Sequence, residues 1–392
     1  MKMKPIIKWP GGKSQEIPII INYIPNFYER YIEPFLGGGA LYFYLEPKRA
    51  VVNDIDKSLI FFYRMVKIQE ASFIEELEKI GKDWEDLLII ALKIKHVFID
   101  FFKTYRRNNL KQQDQYIEAD IEKLMNKIKS DLYNLRSVNA EIFMKYLYKT
   151  LFSKIKRLLK LEKKHMVEFS EEKLFDHLET AIKSAYYTYM RDEPEENPQK
   201  KIARFYFIRE YCYGSMFRFN KAGKFNIPYG GIQYNKKSFL KKIEKLKSLD
   251  LVKLLHNTEF YNTDFEVFLN EINPMHNDFV FFDPPYDTEF KDYGKNPFSK
   301  DDHKRLAKIF ANIEAPSVLI IKRTNFIFEL YSNLSKEFTD IEINDYNMKY
   351  SYNVRGRNKR EVQHLLITNF SQKKYFPSIK NDKTVTTLDS FL

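Results

Sequence analysis

The spacing of apolar and polar positions divides the chain into three parts. From the N-terminus to about residue 70, short apolar runs alternate with helical patterns. Arg30 to Glu33 reads as a brief strand stopped by Pro34, and a helix starts at Ala40 to Phe43. Ala50 to Val52 is a second apolar run, and a helix-like pattern extends from Leu59 to Ile68. Between about residues 72 and 205 the period changes to i, i+3, i+4. Leu124, Ile128, Leu132 and Leu135 form one such stripe, and Leu151, Ile155, Leu158 and Leu159 another. The Lys and Glu residues between them suit solvated faces, so the spacing predicts a helical insertion. Phe205, Ile208, Cys212 and Ser215 also fall at helical spacing, which suggests core. The interleaved aromatic residues of 205–219 equally suit a base-stacking platform. The α/β rhythm returns at Phe279 to Phe282, followed by a helix over Asp301 to Ala311 and a buried strand over Ser317 to Ile321. Ile341 to Tyr350 and Glu361 to Thr368, joined across Gly356, predict an antiparallel pair at a sheet edge.

The expected architecture is one discontinuous α/β domain, residues 1–71 and 255–370, interrupted by a helical region over 72–254. A hairpin is expected at about 213–235, and residues 371–392 read as a polar tail.

Charge changes this picture. The 392 residues carry 65 basic and 53 acidic side chains, a net charge of +12, which suits a polyanionic partner. The single cysteine, Cys212, excludes a disulfide framework and a cysteine-based zinc site. The seven histidines are scattered without ligand spacing, so no metal site is expected. Apolar runs such as Asp86 to Ile94 are broken by charge well before the roughly 18 residues of a membrane helix. No apolar stretch follows the opening Met-Lys-Met-Lys, so the expected setting is cytoplasmic.

Glycine is scarce: 12 residues where average usage would give about 27. Five of the 12 mark two of the motifs that carry chemistry. Asp283-Pro284-Pro285-Tyr286 ends the most apolar strand. It puts a carboxylate, a proline-stiffened carbonyl and an aromatic ring where open α/β sheets bind ligands. Two fixed acceptors suit an exocyclic amine with two N–H donors, and the Tyr286 ring suits stacking on the base that bears it. An ordinary Pro-Pro turn capping a strand is the bland alternative. Glu33-Pro34-Phe35-Leu36-Gly37-Gly38-Gly39 follows the first strand as a ligand-contacting loop does. Asp54 lies 17 residues beyond Gly37, close to the spacing of an acid that holds ribose hydroxyls. Lys8-Trp9-Pro10-Gly11-Gly12-Lys13 sets an aromatic ring and two cations around a glycine turn.

Together these motifs, in this order, resemble the Dam-like family of DNA adenine-N6 methyltransferases (alpha-group, D12 class). Two further stretches add to the likeness: Arg218-Phe219-Asn220 through Gly223, Phe225-Asn226 and Pro228, similar to the family's recognition hairpin, and Asn358-Lys359-Arg360-Glu361 with Leu365-Leu366, similar to its C-terminal hairpin. The resemblance covers roughly residues 5–70 and 203–370, and the stretch from about 84 to 200 is longer than the family leads one to expect. It implies an S-adenosylmethionine-dependent methyltransferase (Rossmann-like) α/β domain, discontinuous, with an inserted, mostly helical target-recognition domain containing a β-hairpin.

The implied cofactor is S-adenosyl-L-methionine. Trp9, Lys13, Glu33, Phe35, Gly37, Gly39, Asp54 and Asp283 would be its contacts, and Asp283, Pro284, Pro285 and Tyr286 the catalytic group. The implied partner is double-stranded DNA, read or held by Tyr213, Met216, Arg218, Asn220, Lys221, Pro228, Arg357, Lys359 and Arg360. Arg218 matches an arginine that reads guanine, which favours a GATC-type site. Gly214-Ser215, however, stands where Asn-Gly is expected. The expected activity is methylation of a flipped-out adenine, within a restriction–modification or DNA-marking system that could include a cognate endonuclease without a stable complex. A methyltransferase of RNA adenine or another planar amine, and a non-catalytic DNA-binding protein on the same fold, are the alternatives.

Overall fold

The computed structural model describes residues 2–107, 113–215, 218–220, 222–287, 298–349 and 361–371. Met216, Lys221, Arg357, Lys359, Arg360 and nearly all of the polar tail fall outside these residues. Seven strands form one sheet: β1 (Tyr31–Glu33), β2 (Ala50–Asn53), β3 (Thr258–Tyr261), β4 (Phe279–Phe282), β5 (Ser317–Lys322), β6 (Glu342–Lys349) and β7 (Glu361–Thr368). Their order is β3-β2-β1-β4-β5-β7-β6. The first five are parallel, while β7 runs antiparallel to β5 and β6 antiparallel to β7 at the edge. The short strands read as unbroken apolar runs because helices cover both faces of a parallel sheet.

Along each strand the pleat sends alternate residues to opposite faces. Ile32, Val51, Val280, Phe282, Leu319 and Ile321 pack under helices C-terminal to β3, with Phe268, Leu306, Phe310 and Tyr331. Tyr31, Val52, Phe279, Phe281, Val318 and Ile320 face the other core, which is continuous with the helical part.

In chain order the helices are α1 (Ile17–Ile20), α2 (Ala40–Leu45), α3 (Lys57–Lys67), α4 (Ala71–Arg107), α5 (Gln113–Tyr133), α6 (Ala140–His165), α7 (Glu171–Asp192) and α8 (Pro198–Tyr211). They continue with α9 (Ile232–Asn235), α10 (Leu240–Leu246), α11 (Leu249–His256), α12 (Phe265–Ile272), α13 (Lys300–Asn312) and α14 (Asn325–Glu337). Helices α4 to α8 pack on one another, and α8 also lies against α3 beside the sheet. Gly81 lets α4 approach α10 closely: a Cβ there would come within 2.5 Å of the Leu240 side chain.

Two sequence readings need correction. Phe205 and Ile208 pack half-buried against the core and Cys212 lies within it, but the most buried face of α8 carries Ile202, Tyr206, Phe207 and Tyr211. Beyond its exposed Lys200 and Lys201 this helix is wedged among α3, α4 and α7, and its buried aromatics cannot serve as a stacking platform. The hairpin is also shorter than expected. Its arms pair through Cys212–Tyr229 and Phe219–Phe225, closing when Gly230 N–H donates to the Tyr211 carbonyl. Ile232–Asn235 is a helical turn instead.

Candidate active site

The chain runs outward from β1 through β2 to β3, then crosses back to β4 on the other side of β1. The carboxyl ends of β1 and β4 therefore diverge at a topological switch point, where open sheets form their ligand crevice. A cavity of about 700 Å³ lies there. Its lining includes Trp9, Lys13, Glu33, Phe35, Gly37, Gly39, Asp54, Asp283, Pro284, Pro285 and Tyr286, so residues from four separate motifs share one chamber. Phe219, from the hairpin, also reaches it.

The glycine loop owes its shape to its neighbours. Gly37 and Gly39 have φ of +51° and +66°, which favours glycine. A Cβ on Gly37 would sit 3.0 Å from Cδ1 of Trp9, so the ring lies directly on the loop. Asp54 accepts from the N–H of Gly37 through Oδ2 and from that of Asp56 through Oδ1, both at 2.8 Å. Asp56 in turn caps α3. Buried Asn53 donates to the carbonyls of Pro34 and Thr263 and so ties together the loops after β1 and β3. Burial pushes the Asp54 carboxyl up to about 6, against the pull of these N–H donors.

At the end of β4, Lys13 Nζ lies 2.5 Å from Asp283 Oδ1. It donates to the Tyr286 hydroxyl at 3.0 Å and to the Gly11 carbonyl at 3.1 Å. Lys13 is buried, so its charge is poorly screened, yet burial of Asp283 still pushes that carboxyl up to about 6. Glu33 is buried deeper and accepts from the Tyr31 hydroxyl at 2.9 Å. Burial holds its carboxyl well above the usual range, and Asp283 and Asp54 nearby add to the rise. Three carboxyl groups with raised proton affinity, Glu33, Asp54 and Asp283, thus share the chamber with one buried ammonium.

Several lining residues escaped the sequence reading. Phe265 and Phe298 join the expected Phe35 around one corner, with ring centroids 5.4 to 5.6 Å apart. Asp264 caps α12 and meets the Arg305 guanidinium through both carboxylate oxygens. Arg209, fully buried, donates to the Lys8 carbonyl at 3.1 Å, and its guanidinium lies over the rings of Trp9 and Phe225. It joins the hairpin to the tryptophan that covers the glycine loop.

Among the hairpin residues, Tyr213 N–H donates to the Pro228 carbonyl at 2.8 Å. Arg218 Nε donates to Asn226 Oδ1 at 2.8 Å across the two arms. Asn220 Oδ1 accepts from the N–H groups of Ala222 and Lys224, so this oxygen is engaged in the turn. Arg218, Asn220 and Pro228 are exposed beyond the chamber mouth, and Tyr213 is half-buried.

A family model described as D12 class N6 adenine-specific DNA methyltransferase matches residues 9–163 and 156–350, most of the chain. The chain belongs to this family. Its relatives include the Type II methyltransferase M.CviBI of Paramecium bursaria Chlorella virus NC1A, 26% identical over 94% of this chain and 100% of the relative. The Type II methyltransferase M.MjaIII of Methanocaldococcus jannaschii is 25% identical with the same coverage. M1.LlaDCHI of Lactococcus lactis subsp. cremoris is 23% identical over 94% of this chain and 96% of the relative. For a D12 class enzyme the substrate is DNA and the product N6-methyladenine. No helix among the described residues is long and apolar enough to cross a membrane.

Proposed function

We propose that the chamber at the switch point binds S-adenosyl-L-methionine and the target adenine side by side. The observation that carries this reading is the meeting of the glycine loop, Asp54 and the Asp-Pro-Pro-Tyr group in one cavity. The Phe35, Phe265 and Phe298 corner suits a purine, Asp54 a pair of ribose hydroxyls, and the cluster of carboxyl groups a sulfonium. Bound there, the cofactor supplies a methyl group already activated by positive sulfur.

The protein's task is then to hold the amine. Asp283 and the Pro284 carbonyl accept the two N6 hydrogens, which favours tetrahedral nitrogen and frees its lone pair from the ring. Tyr286 stacks on the base, and Lys13 keeps Asp283 and the Tyr286 hydroxyl in register. A base inside a duplex cannot reach this depth, so the adenine is flipped out. Helices α4 to α10 and the hairpin form the target-recognition part. The enzyme acts on double-stranded DNA at a GATC-type site as the modifying arm of a restriction–modification or DNA-marking system.

Incubation with radiolabelled S-adenosylmethionine and mixed-sequence duplexes tests the whole reading. Label should enter duplex DNA as N6-methyladenine, and long-read sequencing of the product reports the site. Label in RNA alone, or in neither, overturns it.

Two narrower results are expected. Asp283 accepts both more strongly and more usefully when ionised, so the rate should fall as pH drops through about 6 and level off above. A single-turnover rate that stays flat well below that pH would remove Asp283 as the acceptor. Arg218→Ala should erase discrimination at one base pair, worth roughly 1–3 kcal/mol for a bidentate Arg–guanine contact. Non-specific DNA binding should change little. An equal loss on every sequence would make Arg218 a phosphate clamp.

A further inference from the structure

One buried ionic group beside the chamber has no part in binding either substrate. Glu16 sits three residues after Lys13, and its N–H donates to the Lys13 carbonyl at 2.8 Å. Its side chain is 2% exposed and lies against the antiparallel edge of the sheet. There Oε2 accepts from the Tyr346 hydroxyl on β6 and lies 2.8 Å from Nδ1 of His364 on β7. His364 is fully buried, and its ring lies edge-on to the Tyr286 ring with centroids 5.6 Å apart. The pair therefore touches both functional neighbours of Asp283: Lys13 through the backbone turn and Tyr286 through the imidazole.

Chemistry makes this more than packing. A buried carboxylate is costly unless its partners satisfy it. Burial alone would raise the Glu16 carboxyl, but the His364 hydrogen bond, the Lys13 charge and the Tyr346 hydroxyl together hold it below the usual range. The group is ionised at the back of the site, within reach of the Asp283 field.

We propose that Glu16 and His364 are positioning residues for methyl transfer, fixing Lys13 on Asp283 and the Tyr286 ring over the target base. The proposal rests on the reading of Asp283 and Tyr286 given above. It also has an electrostatic consequence. Asp283 is faced by Lys13, Glu16, His364 and Tyr286, with Glu33, Asp54 and Tyr31 behind it at the neighbouring strand ends. Glu16 raises the proton affinity of Asp283, and His364 lowers it.

The two partners can thus be told apart in the intact protein by Glu16→Gln and His364→Gln. Single-turnover rates would be followed from about pH 5 to 9, alongside cofactor binding, duplex binding and thermal unfolding. Each variant should lower the plateau rate about tenfold while both affinities stay within about twofold. The acid limb should move to lower pH in Glu16→Gln and to higher pH in His364→Gln. A pair that merely fastens the N-terminal segment to the sheet would lower the melting temperature and leave the limb in place. That result, or wild-type rates in both variants, overturns the proposal. If either glutamine variant fails to fold, Tyr346→Phe decides, since it removes one hydroxyl: a rate reduced about threefold in a fully folded protein supports the proposal, and an unchanged rate overturns it. Asp283→Ala runs beside them as the deciding control: activity within about tenfold in that variant would sink the underlying site reading, whereas an inactive Asp283→Ala with unaffected Glu16 and His364 variants would sink the positioning role alone.

Discussion

Asp283→Ala is expected to lower the single-turnover methylation rate by at least about a thousandfold, ~4 kcal/mol of barrier. The substitution removes one of two acceptors proposed for the target amine. It also leaves the buried Lys13 ammonium without the carboxylate 2.5 Å away. That cation would then repel the sulfonium of the proposed cofactor and draw the Tyr286 hydroxyl further toward itself. Duplex affinity should change by less than about threefold, because the hairpin residues proposed to meet DNA lie outside the chamber. Quench-flow methylation and fluorescence anisotropy on the same preparation separate the two quantities. Activity within about tenfold of the unmodified enzyme, a loss of only ~1.4 kcal/mol, would dismiss Asp283 from the chemistry.

Asp54→Asn has the second-largest expected effect, on a different step. Asp54 sets the glycine loop through Gly37 and stands where ribose hydroxyls would need an acceptor. Hydrogen bonds to a charged group are worth about 1.5–3 kcal/mol, so cofactor affinity should fall by roughly 10- to 150-fold. Stability should not fall with it. The Asp54 carboxyl stands at about 6 in the fold against 3.8 ordinarily. Its proton is held more tightly folded than unfolded, so the group favours the fold below about pH 4, and this contribution is lost as pH rises through 6. At pH near 8 the ionised carboxylate opposes folding; the neutral amide removes that cost but turns its NH2 toward one of the two backbone N–H groups that Asp54 accepts, so the two effects offset. Calorimetric titration with the cofactor and thermal unfolding at pH near 8 should show weaker binding with little change in melting temperature. Unchanged affinity would free Asp54 from the cofactor site.

Much of this arrangement could be read from local patterns, where one segment carries the whole signal. Phe279–Phe282 and Ser317–Lys322 are apolar runs long enough to announce buried strands. Trp9, the Gly37 loop, Asp54 and Asp283 each sit in a motif whose turn chemistry is written in adjacent residues. What stayed hidden depends on neighbours far along the chain. β3 has four residues, one of them an exposed Glu259, and becomes a strand by pairing with β2. With β3 unseen, Asp264 and Phe265 just after it had no sheet edge to belong to. His364 looked like one of seven scattered histidines, because its partner Glu16 lies 348 residues away.

The discontinuity of the sheet also governs how the molecule comes into being. β1 and β2 are synthesised early, but the strands that flank them follow after the whole helical region; the Arg30–Asp278 contact beside β1 and β4 spans 248 residues. Such separations impose a large loop-closure entropy and slow the search for native pairing. Helices α4 to α8 make most of their contacts with one another, so they can consolidate before the later strands are synthesised. Once packed, they shorten the effective tether between the two halves of the sheet. The helical region, which the family model also covers, would then act during synthesis as an internal scaffold, and catalytic competence would arrive last, when β7 brings His364 to Glu16 and closes the edge.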